Sequence, residues 1–196
     1  MTEFRNRYFL MRHGQSKANA AKLIVSSLAA DASGDYGLTA LGREQAAASA
    51  ARSGLPESTA IYSSPLARAL QTAEIVRDRL SAPEITVTGA LRERDFGAWE
   101  GTSTANYEKV WADDLAGRTE HGVEPVTAVL DRTTALVATL EKEHSGRDIL
   151  LAAHGDILQI LQAGFLGLDP KDHRAVDHLK TAEIRLVSEP PRLGRA

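Results

Sequence analysis

The chain has no cysteine among its 196 residues. That excludes disulfides, thiol catalysis and cysteine-ligated zinc. It also lacks a charge excess of one sign. Lys and Arg total 23, Asp and Glu 26, and the net charge is −3. Nothing in that balance argues for nucleic acid or a membrane surface as partner. No stretch approaches the roughly 20 apolar residues needed to span a bilayer. The N-terminal sequence has a short apolar run flanked by charges, unlike a secretory signal. The expectation is a cytoplasmic protein. Internal repeats and low-complexity segments are also missing, and 43% hydrophobic with 25% charged residues is ordinary globular composition. The length predicts a single domain over 1–196.

What is present is an alternation of short apolar runs and helical patterns. Arg7-Tyr8-Phe9-Leu10-Met11 reads as a buried strand ended by Gly14. Thr39 caps an alanine-rich helix over 39–52. Residues 60–63 form a second strand, and Ser64-Pro65 reads as the cap and first position of the next helix. Residues 85–87 suggest a third strand, and 91–101 a glycine-punctuated loop. Val126, Val129, Leu130, Val137 and Leu140 fit an amphipathic helix. Residues 148–153 form another buried strand, broken at Gly155, and 157–166 an apolar helix. Residues 181–187 suggest an edge strand, and 189–196 a solvated tail. The alternation predicts an α/β fold with a mostly parallel sheet. Residues 20–38 and 102–123 are harder to assign and are candidate lid or rim segments.

In a parallel α/β sheet, ligands gather at the carboxyl ends of strands. Here the first strand ends in Arg12-His13-Gly14, the second in Ser63-Ser64-Pro65 with Arg68 one turn on, and a later one in His154-Gly155. If these strands are neighbours, two histidines and two arginines converge. Arginine forks and helix N-termini together describe an anion site, with phosphate as its natural guest. One histidine would serve as a nucleophile, which requires the unprotonated form. The other would serve as a clamp, better protonated.

Met11-Arg12-His13-Gly14-Gln15-Ser16-Lys17-Ala18-Asn19 resembles the RHG signature of the histidine phosphatase superfamily, which includes the cofactor-dependent phosphoglycerate mutases. Further stretches resemble that family in order and spacing. They are residues 38–46, Tyr62-Ser63-Ser64-Pro65-Leu66-Ala67-Arg68, Leu91-Arg92-Glu93-Arg94-Asp95-Phe96-Gly97, and Ala153-His154-Gly155. A lone RHG is weak evidence, whereas the ordered set is specific.

The resemblance implies a three-layer αβα sandwich with an antiparallel edge strand, and a phosphatase acting on a small-molecule phosphate ester. His13 would be the nucleophile that becomes phosphohistidine. Arg12, Arg68 and His154 would clamp the phosphoryl oxygens, with Asn19 and Gly155 completing the phosphate-binding set. Glu93 would protonate the leaving oxygen and then activate water, with Asp95 and Glu100 as its nearby competitors. Gln15, Ser16 and Arg94 are candidate substrate-binding residues, although Gln15 and Ser16 also suit a helix start and Asn19 a helix cap. No metal or cofactor is implied, because the arginines supply the positive charge. The family offers both monomers and homodimers.

The acid phosphatase branch places an aspartate directly after the second histidine, whereas here Gly155 follows and Asp156 comes one place later. The mutases carry paired basic residues after the acid donor, whereas residues 102–122 offer only Lys109 and Arg118. Hydrolysis is therefore expected, with mutase-type transfer as the alternative and a non-catalytic phosphate-binding scaffold as a third reading. His121, His144, His173 and His178 match no motif, and the spacing of His173 and His178 places them on different helix faces. Trp99 and Trp111 read as packing residues, with Trp111 also a candidate for a lid.

Overall fold

The computed structural model describes residues 4–33 and 35–188. The tail expected at 189–196 lies outside them. Five strands form one sheet: β1 (Arg7–Arg12), β2 (Ala60–Ser63), β3 (Thr86–Val87), β4 (Asp148–Ala153) and β5 (Ile184–Ser188). Their spatial order is β3-β2-β4-β1-β5. All neighbours are parallel except β5, which runs antiparallel to β1 at the edge. Among the described residues seven α-helices accompany them: α1 (Lys17–Ala21), α2 (Leu28–Ser33), α3 (Ala40–Arg52), α4 (Ala67–Leu80), α5 (Tyr107–Leu115), α6 (Val126–Glu143) and α7 (Gly155–Phe165).

The period-two alternation of side chains splits the core between the two sheet faces. Tyr8 and Leu10 of β1 join Ile149, Leu151 and Ala153 of β4 on one face, against α6 and α7. Met11, Leu150 and Ala152 face the other way, against alanines and valines of α3 and α4. β4 is buried at all six positions. Each fully buried Leu or Ile there contributes roughly 1.5–3 kcal/mol relative to exposure. The result is three layers, αβα. Among the described residues no helix is long and apolar enough to cross a membrane.

Several local expectations change. Thr39 does cap α3, accepting from Gly42 N at 3.0 Å. Ser64-Pro65, however, does not open α4. That helix begins at Ala67, with Leu66 at its N-cap and no side-chain cap bond. Ser64 is engaged elsewhere, its hydroxyl lying 2.7 Å from His154 Nε2. β3 is only two residues long.

The turn after β1 packs backbone to backbone on α3. A Cβ on Gly14 would fall 2.3 Å from the Gly42 carbonyl oxygen. Only glycine permits that approach. A third cluster, Ile24, Phe96, Val110 and Val123, with Trp99 and Tyr107 packed on it, ties residues from the segments 20–38 and 102–123 together.

Candidate active site

Because β2, β4 and β1 are adjacent, their carboxyl ends bring the candidate residues together. A cavity of about 140 Å³ opens there, and Arg12, His13, Arg68, Glu93 and Gly155 all line it. His154 lies in the wall beside it, its ring centroid 5.3 Å from that of His13.

The tautomer of His13 follows from its neighbours. Nδ1 lies 2.7 Å from the Gly14 carbonyl oxygen, which can only accept, so Nδ1 carries the proton. Arg68 Nε donates to Nε2 at 3.1 Å, so Nε2 presents a lone pair. Burial, and then the charges of Arg68 and Arg12, hold the His13 pKa well below the ordinary imidazole value. The ring is neutral and its unprotonated nitrogen faces Arg68.

Ser64 Oγ accepts from Leu66 N at 3.2 Å and lies against His154 Nε2. With the Ser64 hydroxyl donating to Nε2, the ring proton of His154 sits on Nδ1, 3.8 Å from Glu93 Oε2. Burial and the neighbouring cations also hold His154 neutral, so the protonated clamp expected from the sequence is not the form this cluster favours. The reason is burial first, and then the two guanidinium groups that share the ring's surroundings. A neutral Nδ1–H is still a donor, and an anion in the cavity would draw the pKa upward.

Three buried polar atoms here have no hydrogen-bond partner among the described residues: Arg12 Nε, Arg68 Nη1 and His154 Nδ1. Orphaned buried donors are costly, and their convergence marks a place built for an acceptor-rich guest. Glu93 stands beside them, with Oε2 3.9 Å from Arg68 Nη2 and Oε1 accepting from Arg94 N at 3.0 Å. Its pKa is pushed up to about 7, by burial foremost, with Asp156 adding and Arg68 opposing. The competitors lie elsewhere: Asp95 caps Gly97 N, and Glu100 accepts from Ser26 N.

Asn19 and Ser16 form a reciprocal capping box on α1, and both also line the cavity. Ser16 is the N-cap and Asn19 its N3 partner, and the same two residues face the cavity. Gln15 does not reach the cavity, because its side-chain oxygen accepts from Thr39 Oγ1 at 2.8 Å, against α3. Arg94 does not reach it either. It is 1% exposed and bidentate to Asp114, with both bonds at 2.7 Å, and it contacts Asp156 at 3.2 Å. A Cβ on Gly155 would sit 2.7 Å from His178 Cε1 and 3.3 Å from Arg12 Nε, so a larger residue there would displace the His178 ring.

Some contributors carry no local signature. Asp31 approaches Arg68 Nη1 at 3.8 Å while its other oxygen accepts from Ala67 N at 2.7 Å, which fixes the start of α4. His178 Nε2 accepts from Arg12 Nη1 at 2.7 Å, and its pKa falls to about 4. Tyr107 and Trp111 stack at 5.4 Å and line the cavity. Trp111 donates to Asp156 at 2.8 Å. α5 forms one wall of the cavity, tied to Arg94 through Asp114 and to Asp156 through Trp111. Among the described residues no group of three or more metal-ligating side chains is placed to hold an ion.

This arrangement is an αβα sandwich with paired histidines and arginines at its strand ends, a set suited to binding an anion. The family model of the histidine phosphatase superfamily, branch 1, matches residues 8–192, and the chain belongs to that superfamily. Among its relatives, the glucosyl-3-phosphoglycerate phosphatase of Mycolicibacterium vanbaalenii is 34% identical, covering 83% of this chain and 75% of that one. A probable phosphoglycerate mutase of Salmonella paratyphi C is 33% identical, with coverages of 82% and 74%. The solved mycobacterial glucosyl-3-phosphoglycerate phosphatase complexed with VO3 superposes with a TM-score of 0.78 at 30% identity, covering 91% of this chain and 90% of that one.

Proposed function

We propose that this enzyme hydrolyses a phosphate monoester through a phosphohistidine on His13, with Glu93 as the proton donor. As a member of its family it is a phosphatase, and the residue roles are our reading. One observation carries them. His13 Nε2 and the Glu93 carboxyl border one cavity, and beside it Arg12 Nε, Arg68 Nη1 and His154 Nδ1 have no hydrogen-bond partner among the described residues.

The guanidinium groups and the His154 N–H bind the phosphoryl oxygens and hold the charge that develops during transfer. His13 Nε2 attacks phosphorus as the bond to the ester oxygen breaks. The Glu93 proton passes to that oxygen, and the alcohol leaves. The resulting carboxylate then takes a proton from water, which attacks phosphorus and releases phosphate and neutral His13. A carboxyl with a pKa near 7 suits both halves of this cycle. Mutase-type transfer is the alternative, and the geometry adds no separate support for it.

The test is phosphate release from glycerol 3-phosphate and p-nitrophenyl phosphate by wild type and His13→Ala, with acid-labile phosphoprotein trapped during turnover. Turnover and the phosphoprotein both vanish in His13→Ala. Undiminished turnover in that variant refutes the assignment.

A further inference from the structure

The phosphate end of the cavity uses all the positive charge the cavity has. Among the residues lining it, only Arg12 and Arg68 are cationic. Both His13 and His178 are held neutral. Besides Ser16, Ala18, Asn19 and Gly155, the rest of the lining is largely apolar surface from Leu23, Val25, Tyr107 and Trp111, with one further carboxylate, Asp156. Asp156 stays ionised, since His173, Arg94 and Trp111 hold its pKa below the usual carboxylate range. The basic residues of the 102–123 segment are committed elsewhere. Lys109 Nζ lies over the Trp99 ring at 5.0 Å, and Arg118 pairs with Asp113 at 2.5 Å. The Arg174 guanidinium is spread on Trp111 at 3.6 Å, and Arg174 is not among the lining residues.

We infer that the substrate is a monophosphate ester whose leaving alcohol carries no second anionic group. An extra carboxylate or phosphate on the leaving group would meet apolar surface and the Asp156 charge, with no cation to pair it. Leaving a charge unpaired in a desolvated site is a strong way to reject a ligand. The inference rests on the phosphatase reading of this same site and narrows it. It also separates this chain from its relatives, whose names specify phosphoglycerate compounds, which bear a carboxylate.

Two esters of nearly identical shape decide the matter. Glycerol 3-phosphate and 3-phosphoglycerate differ in a terminal CH2OH against a carboxylate, with similar leaving alcohols. Wild type is expected to show kcat/KM at least about tenfold higher for glycerol 3-phosphate. Equal or better turnover of 3-phosphoglycerate overturns the inference.

Binding to the His13→Ala protein, measured by titration calorimetry, separates the inference from the reading it rests on. Tighter binding of glycerol 3-phosphate supports the inference even if wild type turns over neither ester, and then the catalytic reading alone fails. Equal or tighter binding of 3-phosphoglycerate overturns the inference whatever the turnover. A second variant, Leu23→Lys, places a cation on the apolar wall and is expected to narrow the preference severalfold. A preference unchanged by a folded Leu23→Lys protein counts against charge as its cause.

Discussion

Replacing Glu93 with glutamine removes a titrating carboxyl while keeping its shape, and the structure predicts opposite effects on activity and stability. Glu93 is 7% exposed and its pKa is raised from 4.5 to about 7. A shift of that size disfavours the ionised form by about 3 kcal/mol. A carboxyl with a raised folded-state pKa lends its stability below the unfolded value, and that stability is lost as pH rises through the folded value. Wild type therefore weakens between about pH 4.5 and 7, and Glu93→Gln does not. At pH 8 the variant should be more stable by about 1–3 kcal/mol, and at pH 4.5 the difference should vanish. Urea titrations at the two pH values measure this.

Activity moves the other way. A general acid contributes about 10²–10⁴-fold, and it matters most for a leaving group that needs protonation. Glu93→Gln should lose roughly a hundredfold or more in kcat/KM on glycerol 3-phosphate, and less than about tenfold on p-nitrophenyl phosphate. The wild-type decline above pH 7 on the alkyl ester should disappear in the variant. Equal losses on both esters, or a variant no more stable than wild type at pH 8, would refute the reasoning.

Further tests address the scaffold and the charge. Arg94→Met leaves Asp114 and Asp156 buried without their common partner and should cost about 3–5 kcal/mol in a denaturant titration. A double variant that also changes Asp114 to leucine should recover part of that loss, and no recovery would mean the ion pair is not the cause. Gly14→Ala forces a Cβ against the Gly42 carbonyl and should lower the unfolding midpoint by about 2 kcal/mol or more, with an unchanged m-value. A variant as stable as wild type would refute the tight approach. EDTA should leave phosphate release unchanged, because Arg12 and Arg68 supply the positive charge at the phosphate. Inhibition reversed by a divalent metal would contradict that account.

The sequence alone determined the order of the five strands and of α3, α4, α6 and α7, and the residues at the strand ends. Those depend on local rules: period-two and period-3.6 burial, caps, and glycine at turns. Thr39 at the head of α3 is such a case. Local rules also kept Asn19 and Ser16 in view, and the capping box they form lies at the edge of the cavity.

What local rules cannot reach is how a polar side chain divides its bonds among distant partners. Gln15 turns to Thr39, Arg94 to Asp114 and Asp156, and Ser64 to His154 in place of capping α4. The raised pKa of Glu93 and the neutral state of His154 belong to the same category. They arise from burial and from charges far apart in sequence, and no local motif encodes those. Asp31, Tyr107 and His178 reach the site only because α2, α5 and the segment before β5 fold over the strand ends. Strand adjacency, β2 beside β4 beside β1, was the step that only the tertiary structure decided. Pairing between strands is set by non-local packing of the apolar faces, and it turns separate polar strand ends into one anion site.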